Sequence, residues 1–123
     1  MHAVLNGDVA AAGSIPPALL KEMYLVGNRL GHYRACLGLL RNAETWETAT
    51  KNYGRVEVPA LLVWGDQDWA KPPERERDRS LIPGVKMATL ERSGHFLPLD
   101  RPAELSQLIV RFAAENPAKM VSR

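Results

Sequence analysis

Apolar residues in the first part of the chain recur at helical spacing. Leu19, Met23, Val26 and Leu30 form one stripe, with Lys21, Glu22, Asn28 and Arg29 off it. Ser14-Ile15-Pro16-Pro17 reads as the entry to this helix, with Ser14 a candidate cap and proline tolerated in the first turn. Gly27 and Gly31 weaken the helix and predict a break near residue 31. A second stretch places Tyr33, Cys36, Leu37 and Leu40 on a shared face and ends at Arg41-Asn42. Residues 43 to 53 are semi-polar, with room for a short helix before Gly54. The small and polar residues 1 to 15 read as a poorly ordered lead-in or a loop.

The period then changes. Val58 to Trp64 is a nearly continuous apolar run ending in Gly65-Asp66-Gln67-Asp68. Without polar alternation it predicts a strand covered on both faces, as in a parallel sheet flanked by helices. Residues 72 to 80 are dense in charge, and on a helix Glu74–Arg77, Arg75–Asp78 and Glu76–Arg79 would pair at i,i+3. This predicts a solvated surface helix. Pro83-Gly84 is a turn, Val85 to Leu90 a second strand, and Ser93-Gly94-His95 a loop. Asp100-Arg101-Pro102 opens a last helix, with Leu105, Leu108, Ile109 and Phe112 on one face and Asn116-Pro117 at its end. From residue 58 the order is thus strand, carboxylate loop, helix, strand, histidine loop, helix. That order predicts a right-handed α/β crossover with both loops on the same sheet rim.

Composition narrows the class without naming it. The chain has 123 residues, 46% hydrophobic and 24% charged, with a net charge of +2. It is sized for one domain, and no apolar run approaches the ~20 residues of a membrane helix. The balance of charge carries no nucleic-acid signal. A single cysteine, Cys36, excludes an intrachain disulfide and makes a reducing compartment, the cytoplasm, the expectation. The first residues lack the basic and apolar regions of a signal peptide. His2, His32 and His95 show no metal spacing, and no glycine-rich phosphate loop is present, so no cofactor is expected. Trp46, Tyr53, Trp64 and Trp69 lack the basic groove of a base-stacking platform.

The candidate chemistry is an acid and an imidazole, each following a strand. Asp68 could be an ordinary turn or cap residue, and His95 a structural histidine. Brought together, the carboxylate would hold the Nδ1–H tautomer and leave Nε2 as a general base. Gly94 would let the chain turn sharply enough to aim the ring inward.

The strings VPALLVWGDQDWAKPPE and SGHFLPLDRPAELSQLIVRF resemble the C-terminal part of the α/β-hydrolase family. In that family a Val-Pro-led strand ends in a Gly-x-x-Asp turn carrying the triad acid, and a Gly-His-aromatic turn carries the triad histidine. The resemblance covers roughly residues 54 to 115 and implies Asp68, not Asp66, as acid and His95 as base, in the family's chain order. Residues 14 to 53 resemble the last helices of a cap domain. The implied fold class is α/β: late cap helices, the last two parallel strands and the last two helices. The domains would be a cap-like segment over 1–53 and a piece of the hydrolase core over 54–123. Trp69 and Phe96, flanking the acid and the histidine, are candidate pocket residues.

The departure is at the nucleophile. Ser14, Ser80, Ser93, Ser106 and Ser122 all lack the G-x-S-x-G frame. Cys36 in Arg34-Ala35-Cys36-Leu37-Gly38 lacks a preceding strand and reads as a buried core thiol. No oxyanion hole is identified. The resemblance therefore implies hydrolysis of an ester or related bond by a nucleophile–Asp–His triad of which these residues hold two members, and a chain inactive alone. The alternatives are a non-enzymatic remnant that self-associates, or a small module binding an apolar ligand. The expected partners are a small ester-like substrate once the site is completed and further copies of the chain, but neither nucleic acid nor membrane.

Overall fold

The computed structural model describes residues 8–11 and 13–117. Three helices precede the first strand over residues 13–60: α1 Pro17–Gly27, α2 His32–Arg41 and α3 Ala43–Ala49, the last continuing into a 3-10 turn over Thr50–Arg55. Strand β1 (Leu61–Gly65), helix α4 (Pro72–Leu81) and strand β2 (Lys86–Leu90) follow. A short helix α5 (Leu97–Asp100) and helix α6 (Pro102–Glu115) complete the order. The lead-in before residue 8, His2, Ser122 and the side chain of Trp46 lie outside the described residues.

The two strands pair in parallel, in register from Leu61 opposite Lys86 to Gly65 opposite Leu90. Parallel neighbours need a crossover, and α4 supplies it. β1 begins at Leu61, and Val58 is exposed rather than part of the strand. Leu61 to Trp64 are half-buried, not covered on both faces. The apolar run calls for two covering layers, and the described residues provide only part of them. On α6, Leu105, Leu108 and Phe112 are half-buried, whereas Ile109 is exposed. The i, i+3, i+7 stripe meets a sheet of two strands, and Ile109 falls beyond that narrow contact. An exposed ion pair, Lys86 Nζ to Glu115 Oε2 at 2.8 Å, joins the end of α6 to β2 and holds the Glu115 carboxyl below its usual range.

The helical segment breaks where glycine predicts it. α1 stops at Gly27, and Gly31 enters α2 with φ +89°, a left-handed conformation suited to glycine. Ser14 does not cap α1: Pro16 holds the cap position.

The buried cluster centres on Val9 and Ile15, against which Leu19, Leu20, Met23, Phe96 and Leu99 pack. Residues 9 and 15 are therefore a docked segment, not a loose lead-in. It joins α1 to the loop carrying His95. Val26 and Leu30 project past this cluster and are exposed. Tyr33, Cys36 and Leu40 on α2 are exposed as well, so Cys36 is not the core thiol its apolar stripe predicts. Leu37 on the same face is half-buried, and the rest of the stripe lies open among the described residues.

Candidate functional site

Both strands end at one rim, and the loops leaving them are tied together by main chain. The Asp66 N–H donates to Leu90 O (3.0 Å) and the Gln67 N–H to Ser93 O (3.0 Å). Asp66 Oδ1 accepts the Ser93 N–H at 3.0 Å. That bond, with a further one from the Arg92 N–H, holds the Asp66 carboxyl below its usual range. Asp66 is thus a brace between the loops. Ser93 is fully buried, and its hydroxyl donates to Leu90 O at 2.7 Å. Gly65 sits directly under the histidine loop: a Cβ there would collide with the Ser93 and Gly94 carbonyl oxygens.

This brace brings Asp68 and His95 together. Asp68 Oδ1 accepts the Ala70 N–H at 2.8 Å, a turn closed by the side chain. Its other oxygen, Oδ2, lies 3.1 Å from His95 Nδ1. The Asp68 side chain is 3% exposed and that of His95 38%, so the acid is buried behind a ring open to one side. A proton on Nδ1 is donated to the carboxylate, leaving the Nε2 lone pair able to accept a proton. The Trp69 ring lies beside the imidazole, centroids 4.6 Å apart, and Phe96 meets it edge-on at 5.6 Å. Trp69 is 59% exposed, whereas Phe96 also packs into the Val9–Ile15 cluster.

Gly94 is needed for a reason other than the sharp turn. Its φ is not positive; the left-handed residue in this loop is Arg92 (φ 53°). A Cβ on Gly94 would lie 2.6 Å from Asp8 O. The same Asp8 carbonyl accepts the Phe96 N–H at 2.9 Å. Asp100 completes the knot, its Oδ2 accepting the Gly94 N–H (2.8 Å) and the Ala10 N–H (2.9 Å). Burial alone would raise the Asp100 pKa. The Gly94 and Ala10 bonds, with the Ser14 hydroxyl and the Ala11 N–H, outweigh it and leave the carboxyl below its usual range.

The charged helix α4 departs from its expected pattern at one place. Glu76 and Arg79 pair as predicted, Nε to Oε2 at 2.8 Å, whereas Asp78 takes Arg77 at 3.8 Å instead of Arg75. Arg75 turns inward and is 8% exposed. Its Nε donates to Ala70 O at 2.7 Å, and a terminal nitrogen reaches Asp68 O at 3.4 Å. Arg75, Asp66 and Asp100 join the site in the fold without having been singled out from sequence. Only Asp66, two residues from Asp68 in the same turn, carried a positional signal.

Three of the described serines are engaged away from His95: Ser80 with Arg77 O, Ser93 with Leu90 O and Ser106 with Pro102 O. His32 Nε2 contacts Cys36 Sγ at 3.5 Å on α2. Among the described residues no group of three or more His, Cys, Asp or Glu is placed to hold a metal ion. No helix among them is long and apolar enough to cross a membrane.

A parallel strand pair joined by a helical crossover and flanked by further helices defines an α/β protein. The chain belongs to the α/β-hydrolase superfamily, as a C-terminal segment of that fold. It is 31% identical over 103 residues to the rat (Rattus norvegicus) protein named bifunctional epoxide hydrolase 2, a match taking in 79% of this chain and 19% of that protein. The Cfl2 structure from Burkholderia cenocepacia superposes with a TM-score of 0.76 at 25% identity, over 90% of this chain and 38% of Cfl2. The fold recurs in MGS-MChE2, an α/β hydrolase from a lagoon-sediment metagenome. There the TM-score is 0.63 at 22% identity, over 80% of this chain and 45% of that one. The chain thus spans about a fifth of the length of the curated relatives it matches. No family model matches the chain.

Proposed function

We propose that the chain carries the acid–histidine part of a hydrolase active site, with Asp68 as the orienting acid and His95 as the general base. The observation that carries this reading is the 3.1 Å approach of Asp68 Oδ2 to His95 Nδ1, with the acid buried and the ring open. Asp68 holds the proton on Nδ1 and stabilises the imidazolium that forms when Nε2 takes a proton. The nucleophile and the oxyanion donors come from protein outside these 123 residues. With a serine nucleophile, His95 removes the hydroxyl proton and the reaction runs through an acyl-enzyme. With an aspartate nucleophile, the carboxylate attacks the carbon of an alkyl C–O bond, the released oxygen takes a proton from a donor outside these residues, and His95 then deprotonates the water that cleaves the resulting ester. The resemblance to a named epoxide hydrolase makes an epoxide, opened by the second route, the first substrate class to assay. Trp69, exposed beside the imidazole, and Phe96 flank the substrate's approach. Residues 1–53 act as the cap-like segment and 54–123 as part of the core.

The test is turnover by the purified chain alone, with a p-nitrophenyl ester and a small epoxide. No hydrolysis above background is expected. Turnover that disappears in His95→Ala would contradict the reading, because it would require a nucleophile within the chain.

A further inference from the structure

We infer that Arg75 is the positioning residue of the Asp68–His95 pair, an inference that rests on the reading of those two as acid and base. In a helix written as PPERERDRSL, Arg75 is the single residue that is buried. A guanidinium withdrawn from water loses acceptors for its N–H groups that must be replaced in place. Here the replacement comes from the acid turn itself. The Nε–H bond goes to Ala70 O at 2.7 Å and a terminal N–H to Asp68 O at 3.4 Å. The guanidinium carbon stands 5.6 Å from the centroid of the Trp64 ring, within cation–π range. Trp64 belongs to the strand that delivers the acid.

The two carbonyls held by Arg75 flank the peptide whose N–H matters most. That peptide joins Trp69 to Ala70, and its N–H donates to Asp68 Oδ1. Fixing the peptide planes on either side fixes this donor, the donor fixes the carboxylate plane, and the carboxylate presents Oδ2 to His95. A planar fork reaching two carbonyls does this as one rigid unit, whereas an ammonium on a flexible stem does not. Arg75 therefore acts on His95 through the Asp68 turn and touches no reacting atom.

The experiment is nitrogen NMR of the full chain labelled with 15N-histidine, above about pH 8.5 where imidazoles are neutral. The spectrum reports which ring nitrogen of His95 bears the proton, a property that a merely structural role of Arg75 would leave unmoved. His95 of the wild type is expected as the Nδ1–H tautomer, and Asp68→Asn is expected to lose it. Arg75→Met, checked for unchanged helicity, is expected to lose most of that population. Arg75→Lys, which keeps a cation over Trp64 but not the fork, is expected to recover part of it. A folded Arg75→Met with the wild-type tautomer overturns the inference. Should that variant not fold, Arg75→Lys decides: partial loss supports the role and a wild-type tautomer overturns it. A wild-type His95 lacking the Nδ1–H form, unaltered in Asp68→Asn, overturns the pairing itself and Arg75's part with it.

Discussion

At the scale of residues, the site depends on close approach as much as on the two side chains that meet. Gly65 allows the histidine loop to lie on the end of β1, and the collision facing any Cβ there is with main-chain carbonyls. Those carbonyls belong to a braced loop, so the backbone itself must shift. Gly65→Ala is expected to cost about 3 kcal/mol in urea unfolding, at the upper end of overpacking costs. It should also separate Asp68 from His95. The meeting of Asp68 and His95 was legible in sequence because each follows a strand of one parallel pair and stands in a turn that resembles those of the α/β-hydrolase family. Arg75 was not legible: in PPERERDRSL it is one of several arginines, and inward rotation depends on the carbonyls that await it. Cys36 erred in the opposite direction, since an apolar stripe reports a capacity for burial and not the presence of a partner.

At the scale of elements, the segment around residues 8–15 is held to the histidine loop by Asp100. Removing the carboxylate in Asp100→Ala leaves the Gly94 and Ala10 N–H groups without their acceptor. This is expected to lower stability at neutral pH by about 1–3 kcal/mol. The pH dependence follows from the direction of its shift. A carboxyl whose folded pKa lies below the unfolded value of about 3.9 contributes stability above that value. The contribution is lost as pH falls through the depressed folded pKa. Wild type should therefore lose stability on acidification below about pH 4, and Asp100→Asn should lose less over the same window. Equilibrium unfolding at several pH values checks both statements. Gly31 makes a simpler prediction: with φ +89° and open space around it, Gly31→Ala should cost about 1–2 kcal/mol through backbone strain alone. Strand and helix positions from residue 58 onward were legible to within a few residues because period and turn chemistry agree there. The docking of residues 9 and 15 was not, because it is a long-range contact between two loops.

At the scale of the whole molecule, large apolar side chains stand uncovered on the helical segment: Tyr24, Leu25, Val26 and Leu30 on and after α1, and Tyr33, Leu39 and Leu40 on α2. Contiguous exposed apolar surface of this kind marks a site of association. The purified chain is therefore expected to sediment as a dimer or larger species at micromolar concentration. A well-folded monomer there would count against association and favour an isolated module. The same uncovered faces are where the remainder of a hydrolase fold would pack.

Once a nucleophile is supplied, Asp68 and His95 are expected to act as acid and base. The direct measurement is epoxide turnover by a chimera in which this chain replaces the matched segment of the rat epoxide hydrolase. Hydrolysis is expected, falling by about 10³-fold or more in His95→Ala and in Asp68→Asn. Turnover that survives both substitutions unchanged would contradict these roles.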